Sequence, residues 1–240
     1  MKKTIIFSTL LSATMFFVAG WGGTTASKPD KNVQTEAPTE TASEKSTDNS
    51  KLSKLTKNKI DAVITLTNGE TIEIELYPDV APKTVANFVK NVQEGFYSQT
   101  IFHRAIDGFV VQGGGYDTEY NSKTVSETVE GEFSDNGTEN VLSHKRGVIS
   151  MARIPSQPDS ASTQFFIVQS DSEYLDGQYA AFGMVRGGMN VVDEIAASPH
   201  MKNPPSGLTD LPEEQFVIES ITIESDETDV DEDTPSSNQL

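Results

Sequence analysis

The sequence predicts a mainly-β fold, an antiparallel barrel or sandwich, and three observations carry that prediction. Short runs rich in Val, Ile, Phe and Thr recur between turn residues along 59–225. Only two stretches in that region have the apolar spacing of an amphipathic helix. Strand-like and helix-like segments do not alternate, so the pattern lacks the βαβ order that a parallel sheet needs.

The chain opens on Met1-Lys2-Lys3 and an apolar run from Thr4 to Gly20, followed by small and polar residues. The run is short and has no basic stop-transfer flank, so residues 1–26 read as a secretory signal peptide, cleaved after Ala26, rather than as a spanning helix. Val18-Ala19-Gly20 is what would precede the lipid-modified cysteine of a bacterial lipoprotein, but position 21 is Trp21 and the chain contains no Cys. No thiol is available there to acylate, but Trp and Cys codons differ by one base, so a substituted lipoprotein held at the outer face of the cytoplasmic membrane and a plain signal cleaved after Ala26 stand as two equal readings of this end. The expectation is an exported protein, extracellular or at the cell surface, that touches membrane only through its N-terminal segment. Residues 27–58 turn to Thr, Ser, Glu, Lys, Asn and Pro, with almost nothing apolar to repay ordering, and read as a disordered tether. Such a coil spans roughly 30 Å.

Order is expected from Ile60. Ala62–Leu66 and Thr71–Leu76 flank Asn68-Gly69, a type I′ hairpin signal, and the second strand alternates apolar with acidic residues. Asp79 can cap a helix beginning near Pro82, with Val85, Phe88, Val89 and Val92 on its apolar face and Gly95 as its stop. Ile101–Ile106 and Phe109–Val111 read as strands joined at Asp107-Gly108. The polar stretch 116–140 reads as a long loop with a short strand around Gly131-Glu132-Phe133. Gly147–Met151, Gln164–Val168 and Ala181–Val185 read as buried strands. Val191, Val192, Ile195 and Ala196 mark a second helix that ends before Pro199, and Phe216–Ile218 with Ile221–Ile223 closes the sheet. Residues 226–240 form an acidic tail expected to be disordered. A domain of about 165 residues buries roughly 70% of its unfolded surface and needs no staple.

The net charge of −18 is unevenly spread, at +3 over 1–58, −14 over 59–223 and −7 over 224–240. An acidic domain repels phosphate backbones, which argues against nucleic acid as a partner. His103, His144 and His200 lack ligand-like spacing, and no phosphate-binding loop, dinucleotide fingerprint or Gly-x-Ser-x-Gly elbow occurs, so neither metal nor cofactor is expected.

The stretch Ile101 to Gly115, IFHRAIDGFVVQGGG, is the densest in functional residue types. Simple hairpin parity pairs Ile106 with Phe109 and Arg104 with Val111, placing Arg104 and Phe109 on one face and Gln112 on the other. If the three act together, a bulge is required, and Gly113-Gly114-Gly115 has the backbone freedom for one.

That stretch resembles the signature of the cyclophilin family of peptidyl-prolyl isomerases. Two further blocks are similar to the family in the same order: GVISMARIPSQPDSASTQFFIV from Gly147 and YLDGQYAAFGMV from Tyr174. The resemblance covers 59–225 and implies a closed eight-stranded antiparallel barrel capped by two α-helices. It implies that Arg104, Phe109 and Gln112 carry catalysis. By the same resemblance Val110, Ala152, Arg153, Gln164, Phe166, Tyr174, Leu175 and Tyr179 line the substrate groove, with His103 beside them. Arg153 stands where the family commonly has Asn, and Tyr174 where cyclosporin-sensitive members have Trp, so weak cyclosporin binding is expected. The implied partners are proline-containing segments of exported proteins, met by a monomer. A peptide-binding or adhesive surface module that keeps the groove without turnover is the alternative, and it would not need Arg104.

Overall fold

In the computed structural model, which describes residues 50–54 and 56–224, eight strands close into an antiparallel barrel. They are β1 (Ile60–Leu66), β2 (Thr71–Leu76), β3 (Thr100–Ala105), β4 (Val110–Asp117), β5 (Val148–Met151), β6 (Phe165–Val168), β7 (Ala181–Gly187) and β8 (Val217–Glu224). Around the barrel the order is β1-β2-β7-β5-β6-β4-β3-β8, with β8 returning to β1. The expected signal peptide, most of the expected tether and the expected disordered tail lie outside the described residues.

Alternation along the strands sorts the side chains into two clusters. Ile64, Ile74, Val111, Ile149, Phe165, Ile167 and Phe182 point into the barrel, where α1 (Pro82–Gln93) and α2 (Met189–Ala197) deliver Phe88, Val192 and Ile195. Phe88 meets Tyr97, Phe165 and Phe182 with ring centroids 5.2, 5.8 and 5.3 Å away. The residues between these point outward: Val110, Val148, Phe166, Val168 and Ala181 build a second buried cluster on the outside of the wall. This outer cluster is what the site is made from.

Several local expectations are corrected. The β1–β2 connection is not type I′, because only Gly69 has positive φ, at +88°. Gly69 N–H donates to Leu66 O and Leu66 N–H to Glu70 O, the pattern of a three-residue loop whose last residue is left-handed. Asp79 does not cap α1. Ala81 occupies that position with no side-chain bond, and Glu132 instead accepts from the Lys83 and Thr84 N–H groups at 3.0 and 2.8 Å. A carboxylate 48 residues away in sequence thus satisfies the orphan donors of the first turn. The same use removes the expected strand at 131–133, and a short 3₁₀ turn, Ser134–Asn136, follows there. Order also begins earlier than Ile60. Residues 50–54 are helical, and Leu52 packs against the outer cluster that contains Tyr77 and Val80. Finally, Val217–Ile218 and Ile221–Ile223 belong to a single last strand, β8, and Phe216 lies just before it.

Candidate active site

The register of β3 against β4 differs from simple parity in three places. Phe109 N–H donates to Ile106 O and Ile106 N–H to Val110 O, so the connection holds three residues rather than two. Arg104 therefore stands opposite Gln112, and Ala105 opposite Val111. Phe102 stands opposite Gly113, so two steps along β3 match one along β4, and His103 is the bulged residue. Its effect is visible in the burial: Phe102 and Ala105 both belong to the interior cluster, although an odd number of positions separates them. Arg104 is thereby turned to the outer face. A second shift lies between Thr100 and Phe102, where the β4 glycines supply the extra residues.

Directly opposed residues share a face. Arg104 on β3 opposes Gln112 on β4, Gln112 opposes Phe166 on β6, and Phe166 opposes Ser150 on β5. The outer wall thus carries a row running from a guanidinium through an amide to an aromatic ring. Arg104 is 18% exposed; its Nε donates to Asp210 Oδ2 at 3.2 Å, and its guanidinium carbon lies 5.9 Å from the Phe109 ring centroid. Gln112 Nε2 donates to Gln164 Oε1 at 2.8 Å. Gly115 makes room for Gln164, since a Cβ there would stand 2.5 Å from its side-chain amide.

Beside that row lies an apolar recess. Val110, Phe166, Leu175 and Tyr179 are buried together, with Phe109 and Ala152 half-buried against them. Tyr179 meets Phe166 edge-on at 5.6 Å, while Tyr174, 54% exposed, stacks on Phe109 at 5.9 Å. Arg153 lies 4.9 Å from the Tyr179 centroid and 5.1 Å from that of Phe133. Burial pushes the Tyr179 hydroxyl above its usual range, and the charges of Arg153 and Arg104 pull it back. Both cations therefore act on one ring.

His103 is not on this surface. It is 4% exposed, its ring lies 4.8 Å from that of Tyr116, and burial lowers its pKa to about 4, against the pull of the Ile101 backbone and Gln164. Beneath Phe166 lies a network the sequence did not announce. His144 stacks on that ring at 6.0 Å, its Nδ1 is 2.7 Å from Asp176 Oδ1, and its Nε2 is 3.0 Å from Ser150 Oγ. The distances are those of a Ser-His-Asp triad, but His144 and Ser150 are buried, so no substrate carbonyl can reach the hydroxyl. Burial holds His144 below the ordinary histidine value, opposed by Asp176. The network orients the floor of the recess. Asp210 was equally unannounced, since nothing in its spacing from Arg104 marks the pair.

The sequence model of the family described as cyclophilin type peptidyl-prolyl cis-trans isomerase/CLD matches residues 62–223. The chain belongs to the cyclophilin family. Peptidyl-prolyl cis-trans isomerase B of Escherichia coli is 40% identical over 166 residues, covering 65% of this chain and 96% of that protein. Peptidyl-prolyl cis-trans isomerase A of Dickeya dadantii is 43% identical over 166 residues, covering 67% of this chain and 83% of the relative. Among solved structures, a cyclophilin type isomerase of Cryptosporidium parvum superposes with a TM-score of 0.57 at 26% identity, over 70% of this chain and 99% of its own. The structure of that protein obtained in the presence of the dipeptide Ala-Pro gives 0.56 at 27% identity, over 69% of this chain and 99% of its own. The closed eight-stranded barrel is thus the cyclophilin fold, and peptidyl-prolyl isomerisation is the activity of the family to which the chain belongs.

Proposed function

We propose that this cyclophilin isomerises X-Pro bonds in exported proteins, with Arg104 as donor to the twisted amide and the outer recess as the seat of the proline ring. The observation that supports it is the row Arg104, Gln112, Phe166, which sets a fixed cation and an amide beside a buried aromatic wall. Rotation about the peptide bond faces a barrier of about 18–20 kcal/mol from amide resonance. An enzyme lowers it by binding the twisted amide better than the planar one. As the bond twists, the prolyl nitrogen becomes pyramidal and gains a lone pair. A guanidinium stays charged and presents a rigid fork of N–H donors to such a pair. With Nε engaged by Asp210, the terminal amino groups of Arg104 remain for that task. Gln112, held by Gln164, offers a placed amide to the substrate backbone.

No proton is transferred and no covalent bond forms, so the chemistry needs no metal or cofactor. A rate gain of about 10⁵ asks for roughly 7 kcal/mol, shared between this hydrogen bond and the loss of water from the site. Phe109, Val110, Phe166 and Leu175 hold the ring, while Ala152, Arg153, Tyr174 and Tyr179 flank it. With Tyr174 in place of Trp, cyclosporin binds weakly. The protein works as a monomer outside the cytoplasm, on clients that arrive unfolded.

The test is the kinetics of Arg104 variants on a proline-containing peptide. An interaction made mainly in the transition state lowers kcat and kcat/KM together. Arg104→Ala is expected to reduce both by about 10² to 10³. Arg104→Lys keeps the charge but loses the fork, and should remain much slower than the unaltered enzyme. Full activity in the lysine variant would sink the argument from guanidinium geometry.

A further inference from the structure

From the pairing of Arg104 with a loop carboxylate, we infer that Asp210 is a positioning residue for catalysis, which aims the guanidinium of Arg104 at the substrate amide. The inference rests on the role given to Arg104 above. Asp210 lies in the connection between α2 and β8, at 106 positions from Arg104 in sequence, and the fold brings it there by several independent contacts. Only Thr100 and Ile101 of β3 pair with β8. Beyond them the connection takes over the edge of β3: Phe102 N–H donates to Phe216 O at 3.0 Å, and Ala105 N–H donates to Asp210 O at 2.9 Å. His200 Nε2 approaches Ala105 O at 2.8 Å, so both polar groups of the residue after Arg104 are gripped by this segment. Leu208 and Leu211 anchor it by packing on Ile101.

The backbone of Asp210 is specified as tightly as its place. Its φ is +53°, in the left-handed region that side chains other than Asn, Asp and Gly seldom occupy. With its main chain bonded to Ala105, its carboxylate stands 3.2 Å from Arg104 Nε. An ion pair at an open surface contributes little, because two long side chains are ordered for a screened attraction. This pair differs in what it leaves over. Asp210 is short and fixed by its backbone, so the ordering falls on Arg104 alone. It takes the Nε donor and not the terminal amino groups, which defines the plane of the fork without occupying it. Substrate excludes water from the pair, which strengthens the hold when it matters. The carboxylate also draws off part of the positive field. Orientation outweighs that loss because the lone pair to be stabilised appears at one place and in one direction.

Alanine is a poor probe at positive φ, so glycine and asparagine serve. In the full chain, Asp210→Gly removes the carboxylate without backbone strain, and Asp210→Asn keeps an acceptor oxygen without the charge. Asp210→Gly is expected to lower kcat on an X-Pro peptide about three- to tenfold, the size of a partly exposed charge-assisted hydrogen bond, with KM nearly unchanged. Asp210→Asn should recover most of the loss. In an Arg104→Ala background, Asp210→Gly should change kcat no further. The inference is overturned if Asp210→Gly leaves kcat unchanged or raises it. It is equally overturned if the loss persists without Arg104, since the segment would then act on the fold and not through the guanidinium. Full activity of Arg104→Ala alone would overturn the reading of Arg104 itself, and that result is distinct from the other two.

Discussion

His103 decides which way its neighbour points. As the bulged residue of β3 it restores the inward direction to Ala105 after Phe102 and sends Arg104 to the outer wall. Simple hairpin parity called for a bulge if Arg104 and Gln112 were to act together; the three-residue connection aligns them instead, and the bulge at His103 keeps Phe102 and Ala105 both facing inward. The cost is a buried imidazole with one ring nitrogen, Nδ1, left without a hydrogen-bond partner. This has a consequence for stability. Burial lowers the folded-state pKa of His103 to about 4, below the ordinary 6.5 of an exposed histidine. Between those values the unfolded chain binds the proton and the folded one does not, so stability is whole above about pH 6.5 and falls as pH drops toward 4. The full penalty is on the order of 3 kcal/mol. Denaturant unfolding across this window should therefore lose that much more in the unaltered protein than in His103→Gln, whose side chain does not titrate. Parallel curves for the two proteins would show that His103 does not govern the acid side.

At the scale of elements, the barrel strands are legible in the sequence, the expected strand at 131–133 is absent, and the registers are not legible. Thr71–Leu76 was read with the bounds it has, because its alternation is unbroken. The β3–β4 pair was read one residue out. A two-residue turn and a three-residue turn can carry the same Asp-Gly signal, and the choice rests on hydrogen bonds that no local sequence states. Gly113, Gly114 and Gly115 were read as a source of freedom after a short strand, whereas they continue it to Asp117. Gly114 has φ of +78°, and Gly115 leaves the space that Gln164 fills. That second role can be isolated. Gly115→Ala puts a methyl group where the Gln164 amide lies, so Gln164 must swing away and release Gln112. Its φ is not left-handed, so the backbone tolerates alanine. The expected outcome is a fall in kcat/KM of about tenfold, near the 1.4 kcal/mol of one lost hydrogen bond, with a much smaller relative change in unfolding free energy. An unfolding midpoint that falls steeply while kcat/KM per folded molecule stays constant would refute it.

For the molecule as a whole, closure of the sheet explains why so short a set of motifs was informative. A closed barrel has no edges, so each outward residue has neighbours on both sides, and the row from Arg104 to Phe166 follows from β3, β4 and β6 lying side by side. The three sequence blocks that resembled cyclophilins contain that row and most of the recess. What lay outside them, Glu132 capping α1 and Asp210 on Arg104, is set by contacts between distant segments and leaves no periodic trace. The N-terminal region presents the opposite case, in which chemistry can be read from the sequence without structure. Lipid attachment at an exported N-terminus needs a thiol, and the residue after Val18-Ala19-Gly20 is Trp21 in a chain without cysteine. The chain should then be held at a membrane only while its signal segment is uncleaved. Produced in a Gram-positive host fed labelled fatty acid, it should take up no label, and the mature domain should be recovered in the medium. Trp21→Cys supplies the one missing group, and should bring both labelling and retention in the membrane fraction, with isomerase activity per molecule unchanged because position 21 lies well before Ile60 in sequence, where the first barrel strand begins. Label on the unaltered chain would mean an attachment chemistry other than thioether formation. A cysteine variant that is exported but unlabelled would show that Val18 to Gly20 is not read as a lipidation signal, and would leave the plain cleaved signal as the account of this end.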